Sequence, residues 1–314
     1  MRVYKCLHTN RFQFDDFHIE PIRHEDRLEI MTIRNEQLFH LRQVKPLTIE
    51  DQDKYFNSVV NALFEQEKPS QLLFSFFKKD VFIGYGGLVH MNWIDKNAEI
   101  SFVMKTALEK ENFSKYWSNY LRLIERVAFN ELNFHKIFTY AFDLRSHLYE
   151  VLESCQFKEE ARLKEHCFFD GKFIDVVYHS KMNNNIKVRK PNENDLQLYF
   201  NWANDIDVRK NSYQSKEISL EQHSQWFLNK LNDESCTMYL FENHIGEPIG
   251  QVRIQKQNEQ EAIIGISNDK SHRGKGFANR MLVIATSIFL EKNPKIVINA
   301  FIKVENQASE KAFQ

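Results

Sequence analysis

The chain has 314 residues, of which 42% are hydrophobic and 27% charged, and its 42 Lys and Arg nearly balance 43 Asp and Glu for a formal net charge of -1. This composition is typical of globular proteins and excludes a disordered or collagen-like chain. The balanced charge gives no reason to expect nucleic acid or a membrane surface as a partner. At about 100–200 residues per domain, the length predicts two domains.

Glycine is scarce in this chain. Only 9 glycines occur, where an average usage near 7% would give about 22. Because glycine permits a positive φ and lets a ligand approach the backbone closely, the position of each one is informative. Two of them, Gly274 and Gly276, lie in one short loop.

The sequence indicates neither a membrane span nor a disulfide framework. The longest strongly apolar stretch, Met281–Leu290, is far shorter than a membrane span, and residues 1–17 have no apolar signal-peptide core. The four cysteines form no CxxC pair, so we expect neither a metal site nor disulfides. These features predict a cytoplasmic protein.

Periodicity predicts the same order of elements in both halves: a helical opening, a hairpin, a strand, a long helix, a strand and a short helix. In the first half, the elements after the opening are expected at residues 71–91, 98–104, 116–132, 136–142 and 146–154. In the second half they are expected at residues 237–254, 262–267, 279–290, 295–302 and from 306 onwards.

Matched positions in the two halves lie at nearly constant separations along the chain. The separations are 169, 164 and 163 residues for the pairs Asp26 and Asp195, Ala98 and Ala262, and Asp143 and Asn306. Such offsets predict a duplication. The run Lys181–Lys187, with three consecutive asparagines, is the expected linker. We therefore predict domains at residues 1–182 and 187–314.

The segment Ser271–Ala278 is the sharpest motif in the chain. It follows the predicted strand 262–267 and opens the helix at 279, so its glycines can direct successive backbone N–H groups at a phosphate. Arg273 and Lys275 add positive charge for a pyrophosphate. The patterns GxxxxGK[ST] and GxGxxG are absent, which argues against a P-loop or a dinucleotide site. The remaining alternative is a glycine turn with two solvated cations.

Two motifs resemble the GCN5-related N-acetyltransferases. Arg273-Gly-Lys-Gly-Phe-Ala278 matches their [QR]-x-x-G-x-[GA] acyl-CoA loop, and Asn306–Phe313 matches their N-x-x-S-x-x-x-[YF] helix start. The resemblance implies an α/β (α+β) protein of two tandem domains, each a mixed, mostly antiparallel sheet flanked by helices. It also implies acetyl-CoA as co-substrate, no metal, and transfer of the acetyl group to a primary amine.

The resemblance assigns residues to the cofactor and to catalysis. The implied cofactor-binding residues are Gly265, Ile266, Ser267, Arg273, Gly274, Lys275, Gly276, Phe277, Ala278, Asn306 and Ser309. Glu99 and His223 are candidate bases for the amine proton. Their alternatives are a solvent-facing strand residue and a helix histidine with ordinary partners.

Three departures from the family pattern affect these expectations. Phe313 stands where the family often has a tyrosine acid. The family would continue beyond Gln314 with two more strands, so we expect a short second sheet. The first-half counterpart of the loop, residues 109–114, has no glycine. Glu109 and Glu111 would repel a diphosphate there, although Asn112 could still form the turn. We therefore assign CoA to the second domain.

The acceptor is less well defined by the sequence. Residues 201–227 resemble acetyltransferases associated with bacterial surface-sugar enzymes, which implies Asn204, Arg209 and Asn211 as contacts to an amino sugar or a sugar nucleotide. Acetylation of a protein N-terminus is an alternative, and a catalytically weak CoA- or partner-binding module is another. In the first half, Arg34, Arg42 and the glycines of residues 84–87 are pocket-like features. A homodimer is a further expectation for the partners of this chain.

Overall fold

The computed structural model describes residues 2–41 and 43–313, with the side chain of His40 left out. Arg42, one of the two arginines singled out in the first half, therefore lies outside the described residues. The chain divides between Asn183 and Asn184 into two compact units. Among the described helices, none has the length and apolar character needed to cross a membrane.

The first unit contains an eight-stranded sheet in the order β1-β2-β3-β4-β5-β6-β8-β7. Its strands are β1 (Phe12–Phe14), β2 (Phe17–Pro21), β3 (Leu72–Lys78), β4 (Val81–Asn92), β5 (Asn97–Met104), β6 (Lys136–Phe142), β7 (Lys158–Phe169) and β8 (Lys172–Met182). Neighbouring strands are antiparallel except β5 and β6, which are parallel. The sheet is therefore mixed and mostly antiparallel, as predicted.

The helices of the first unit cover a strongly aromatic core. They are α1 (Arg27–Glu36), α2 (Leu38–Leu41), α3 (Ile49–Tyr55), α4 (Asn61–Leu63), α5 (Thr106–Glu125) and α6 (His147–Ser154). Helix α5 buries Trp117, Tyr120, Leu121 and Ile124, which recur at the spacing of one helix face. The Tyr120 ring stacks on Phe102 of β5 with ring centroids 4.0 Å apart. This packing fixes α5 against the sheet.

The second unit contains a five-stranded sheet in the order β13-β12-β11-β10-β9. Its strands are β9 (Ile186–Arg189), β10 (Cys236–Asn243), β11 (Pro248–Lys256), β12 (Glu261–Asn268) and β13 (Val297–Ala300). Its helices are α7 (Leu196–Ala203), α8 (Ile206–Asn211), α9 (Leu220–Leu231), α10 (Phe277–Lys292) and α11 (Gln307–Phe313). Only β12 and β13 are parallel among these described strands. The smaller sheet agrees with the expectation of a short second sheet.

The two units repeat the same order of elements, and the predicted strands and helices of both halves are present. The helical openings also share an ion pair. Arg23 donates to Asp26 at 2.6 Å in the first unit, and Arg189 donates to Asp195 at 2.8 Å in the second. Because β8 ends at Met182 and β9 begins at Ile186, the connection between the sheets is shorter than the expected linker.

The first unit differs from the expectation at the counterpart of the acyl-CoA loop. Helix α5 begins at Thr106, two residues after β5 ends at Met104, so residues 109–114 lie inside this helix. The turn that Asn112 was expected to preserve is therefore absent from this described segment. Without the glycines, the chain continues the helix from its first turn because no residue there requires a positive φ.

Candidate functional site

The C-terminal part of β12 has a free main-chain edge. Strand β13 pairs with β12 only from Glu261 to Ile264, whose partner is Ala300. Beyond that point Gly265, Ile266 and Ser267 pair with β11 on one side, and no described strand pairs with them on the other. Unpaired N–H and C=O groups on a strand edge can bind an extended ligand. This segment contains the three residues that the resemblance assigned to the CoA arm.

The loop after β12 opens the N-terminus of α10. Gly274 and Gly276 have φ of 75° and 76°, and a Cβ on either would meet no atom within 4 Å. Gly276 is the N-cap residue of this 16-residue helix and offers no side chain to its first N–H groups. Uncapped N–H groups and the helix dipole favour an anion here. Lys275 is exposed beside them.

Arg273 is already paired within the second unit. Its guanidinium donates to Asp205 at 2.5 Å and to Asp207 at 2.6 Å. Burial would raise the pKa of Asp205, but the hydrogen bonds from Arg273 and from Val208 N outweigh it and leave this pKa below its usual value. The arginine predicted to face a pyrophosphate therefore connects the loop to the start of α8.

A cleft of about 970 Å³ lies beside the free edge of β12. Gly265, Ile266 and Ser267 line it, together with residues of β11, α7, α8, α9 and the segment between α8 and α9. All of its lining residues belong to the second unit. The cleft and the predicted cofactor strand are thus continuous, which is the arrangement that a reaction between a cofactor and a second substrate requires.

Unpartnered polar atoms concentrate in this cleft. Ten buried side-chain nitrogen and oxygen atoms of the described residues lack a hydrogen-bond partner, and six of them belong to residues that line the cleft. These six are Tyr199 Oη, Arg209 Nε, His223 Nδ1, His223 Nε2, Gln251 Oε1 and Ser267 Oγ. Buried polar groups are normally hydrogen-bonded. Such a cluster therefore indicates a place where water or a ligand completes the bonds.

His223, one of the two predicted bases, lies in this cleft. It is on α9, is only 2% exposed, and its ring lies nearly parallel to that of Phe227. Burial, and then the positive charge of Arg209, lower its pKa. The imidazole is therefore neutral near pH 7 and can accept a proton, which is the property a base for an amine needs.

Glu99, the other predicted base, is in the first unit. It lies on β5, and its Oε2 is 2.8 Å from Nδ1 of His90. Within the first unit, Glu99 therefore interacts with a residue of the neighbouring strand β4.

The three predicted acceptor residues have different environments. Arg209 lines the cleft, whereas Asn204 and Asn211 are not among its lining residues. Asn204 holds the segment after α8 by exchanging hydrogen bonds of 2.9 Å with both backbone groups of Ile218. Asn211 donates to the backbone oxygen of Asp207 one turn earlier in α8. Sequence reasoning did not identify Tyr199, Gln251 or Arg253, because a strand or helix pattern does not show which polar residues share a cleft.

The predicted Asn-x-x-Ser motif begins α11. Asn306 Oδ1 accepts a hydrogen bond of 3.1 Å from the backbone N of Ser309, as a helix N-cap does. Phe313 packs against the apolar core of the second unit. Its ring has no group that could donate a proton.

The first unit has a free strand edge but no glycine loop. Strand β6 pairs with β5 only as far as Glu99 and Phe138, so residues 100–104 extend beyond it. At the start of α5, Glu109 forms an ion pair with Arg145 at 3.5 Å. Burial raises the pKa of this carboxyl despite the arginine. In the part of the chain that the structure describes, no group of three or more His, Cys, Asp or Glu could hold a metal ion.

Each unit has a mixed sheet in which two parallel strands pair over only part of their length. In the second unit, one of these strands, β12, is followed by a glycine loop. This combination defines a class of acyl-CoA-dependent transferase folds. Residues 19–178 and residues 185–314 each match a family profile described as an acetyltransferase (GNAT) domain. The chain therefore belongs to the GNAT acetyltransferase family and carries two such domains in tandem. This confirms the resemblance stated from the sequence.

Part of the chain is also similar to an enzyme of Vibrio cholerae. Spermidine N(1)-acetyltransferase of Vibrio cholerae is 29% identical over 94 residues, which are 30% of this chain and 53% of the relative. The match thus spans about half the length of that curated relative. A crystal structure of the V. cholerae enzyme with CoA and spermine gives a TM-score of 0.47 at 18% identity, covering 54% of this chain and 96% of the other. A dodecameric structure of that enzyme in an intermediate state gives a TM-score of 0.46 at 18% identity, covering 54% of this chain and 95% of the other.

Proposed function

We propose that this protein is an N-acetyltransferase that transfers the acetyl group of acetyl-CoA to a primary amine in the cleft of the second unit. The observation that carries the proposal is the continuity of three features: the free edge at Gly265–Ser267, the open glycine loop at the start of α10, and the cleft with its unpartnered polar atoms. The GNAT family membership of both halves supports it.

The second unit fits acetyl-CoA as a co-substrate. The free N–H and C=O groups of Gly265–Ser267 would pair with the pantetheine amides, and the uncapped N–H groups at Gly276 and Phe277 would take the pyrophosphate. Open space at Gly274 and Gly276 lets the ligand cross the backbone. Asn306 holds the start of α11 and so contributes by positioning that helix. These contacts would hold the thioester at the mouth of the cleft.

Acetyl transfer then needs a neutral amine and a proton acceptor. The amine nitrogen attacks the thioester carbonyl, an N–C bond forms and the C–S bond breaks. A backbone N–H of β12 would polarise the carbonyl oxygen. We propose that neutral His223 takes the amine proton, directly or through one water molecule. The leaving thiolate would take its proton from water, since Phe313 cannot donate one.

The acceptor that we propose is the amine of an amino sugar or a sugar nucleotide, as the run 201–227 predicts. The unpartnered hydroxyl, amide and imidazole groups of Tyr199, Gln251 and His223 suit the hydroxyl groups of a sugar. The partial similarity to spermidine N(1)-acetyltransferase favours a second candidate, a polyamine.

A thiol-release assay with acetyl-CoA tests the proposal. The acceptor panel contains glucosamine, spermidine and a peptide with a free N-terminus, and the enzymes are the full chain, Gly276→Glu and Gly246→Glu. Both glycines have positive φ and open space, but Gly246 lies in the turn between β10 and β11. Substitution therefore strains both backbones alike, and only Gly276→Glu places a carboxylate at the predicted pyrophosphate site.

We expect thiol release with at least one small amine, its loss in Gly276→Glu, and retention in Gly246→Glu. Release with the peptide alone would favour an N-terminal acetyltransferase. No release with any amine, although acetyl-CoA binds, would contradict the enzyme and favour a CoA-binding module.

A further inference from the structure

We infer that the acceptor carries an anionic group, a phosphate or a carboxylate, in addition to its amine, and that Arg209 binds this group. The inference rests on the proposed function, since it concerns the second substrate of the same cleft. Three independent observations support it: the charges that line the cleft, the incomplete hydrogen bonding of Arg209, and the contrast with other arginines of the second unit.

The cleft is lined by an excess of positive charge. Arg209, Lys216 and Arg253 line it against one acidic residue, Glu217. His223 does not change this balance because its lowered pKa keeps it neutral. An anionic ligand is attracted to such a lining, whereas a polycation such as spermidine is repelled. The charges that line the cleft therefore suit an anionic acceptor rather than spermidine, the acceptor named for the partial relative.

Arg209 has one buried N–H that nothing in the described structure satisfies. One terminal nitrogen, Nη1, donates to the backbone oxygens of Gln214 and Lys216 at 3.1 and 3.4 Å, and Nη2 donates to Ser212 Oγ at 3.1 Å. Nε is buried and has no partner. The guanidinium is therefore held in place by neutral oxygens, and its Nε–H has no partner among the described residues beside the cleft that Arg209 lines.

Two other arginines of the second unit, Arg189 and Arg273, have carboxylate partners. Arg189 is within 2.8 Å of both Asp195 and Glu242, and Arg273 contacts Asp205 and Asp207. Arg209 has no carboxylate within 4.0 Å among the described residues. A half-buried guanidinium without a counter-charge is costly. A bound anion would supply the missing charge and accept the free N–H.

Arg253 extends the same positive surface on the strand β11. Its guanidinium lies 5.4 Å from the centre of the Trp226 ring, and no described carboxylate is within ion-pair distance. Cation–π contact keeps such a side chain ordered without neutralising it. Arg253 therefore offers a second test residue whose removal leaves the hydrogen bonds of Arg209 to the segment 212–216 intact.

Matched acceptors test the inference. The values of kcat/KM for acetyl transfer are compared for glucosamine, glucosamine 6-phosphate, glucosaminate and spermidine. The enzymes are the full chain, Arg209→Gln, Arg253→Gln and Lys292→Gln. Lys292 is exposed at the end of α10 and does not line the cleft, so it controls for the loss of one positive charge.

We expect the preference for the phosphorylated or carboxylated amine over glucosamine to be at least tenfold. It should fall by about 10- to 100-fold in Arg209→Gln, fall less in Arg253→Gln, and stay unchanged in Lys292→Gln. The two anionic acceptors distinguish phosphate from carboxylate. Equal use of charged and neutral amines, a preference for spermidine, or a preference that survives in Arg209→Gln would overturn the inference.

Calorimetric titration of glucosamine 6-phosphate without acetyl-CoA separates this inference from the proposed function. Binding that is lost in Arg209→Gln, in a protein that transfers no acetyl group, would contradict the enzyme and retain the anion site. Acetyl transfer without any preference for the anionic acceptors would support the enzyme and contradict the anion site.

Discussion

At the level of single residues, the second unit contains an imidazole that burial keeps uncharged near pH 7, that of His223. His223 has aromatic neighbours on several sides, Phe200, Trp226 and Phe227, and no described residue forms a hydrogen bond with either ring nitrogen. This environment is energetically unfavourable for a purely structural histidine, because neither buried ring nitrogen has a hydrogen-bond partner among the described residues. It is suited to a group that gains its partner only when substrate enters.

Replacement of His223 by Gln tests its role as the base. We expect kcat to fall by about 100-fold, while the affinity for CoA stays unchanged because His223 does not belong to β12 or the glycine loop. Burial lowers the pKa of His223 below its ordinary value of about 6.5, so the base should lose its activity only as the pH falls through that lowered pKa.

The pH profile supplies the control for this substitution. In the unaltered protein, kcat corrected for the fraction of neutral amine should be constant above about pH 6.5 and fall as the pH drops through the lowered pKa of His223. In His223→Gln this acid limb should disappear together with most of the rate. A variant that keeps its full kcat, or that keeps the same acid limb, would rule out His223 as the proton acceptor.

At the scale of elements, the ion pairs of Arg273 connect the glycine loop to α8, the helix that carries Arg209. The pyrophosphate of CoA and the carboxylates of Asp205 and Asp207 would compete for the same guanidinium. Asp205 also caps α8, because its side chain accepts hydrogen bonds from Asp207 N and Val208 N. Asp207 is the more exposed of the two and is the cleaner position to change.

We expect Asp207→Asn to bind CoA more tightly, by about 2- to 10-fold, because the substitution releases part of Arg273 and removes a negative charge near the ligand. Titration calorimetry measures the change. Asp233→Asn is the matched control, since Asp233 pairs with Lys230 and lies outside the loop. Weaker binding in Asp207→Asn would show that the ion pair positions Arg273 for the ligand.

The glycines of β4 serve packing in the first unit. A Cβ on Gly87 would overlap the backbone oxygen of Leu72 on β3, and one on Gly86 would overlap that of Ser101 on β5. A close approach of neighbouring backbones therefore accounts for glycine at these positions. The approach is between neighbouring strands, so the pocket interpretation is not needed to explain these glycines.

Substitution of Gly87 by Ala should therefore destabilise the first unit, by about 1–3 kcal/mol, without changing CoA affinity. Chemical denaturation measures the free energy of unfolding. Gly171→Ala provides the comparison, because Gly171 has a φ of 77° but open space around it. Gly171→Ala should lower the free energy of unfolding by only about 1 kcal/mol, the cost of placing alanine at a positive φ. An equal cost at both positions would contradict the packing explanation.

Elements with strong periodicity were predictable, and highly charged ones were not. Strands such as β5 and β12 are apolar enough to be recognised from the sequence, and their common offset of 164 residues predicted the repeat. The β7–β8 hairpin was missed because most of β7 is exposed and carries the charged run KEEARLKEH, which hides any alternation. Its pairing with β8 is set by contacts across the sheet rather than by local sequence.

The glycine loop was located from the sequence, whereas the cleft was not. Gly274 and Gly276 are informative because the backbone needs a positive φ at both. The unpartnered atoms of Tyr199, Gln251 and Ser267 come from one helix and two strands. Only tertiary structure brings such residues together, so no spacing along the chain could have indicated them.

At the scale of the whole molecule, the chain repeats one fold and distributes its glycines unequally between the copies. The second unit keeps an eight-residue connection between β12 and α10, with two glycines at positive φ. In the first unit α5 follows β5 almost directly, and Glu109 with its partner Arg145 stands at the helix start. A shared fold therefore does not imply two equivalent cofactor sites.

Calorimetric titration of the full chain with CoA tests this central claim most directly. The expected result is one CoA bound per chain, because only the second unit combines a free strand edge with an open glycine loop among the described residues. A stoichiometry of two would contradict the assignment by showing that the first unit also binds the cofactor. The absence of any binding would contradict the proposed function itself.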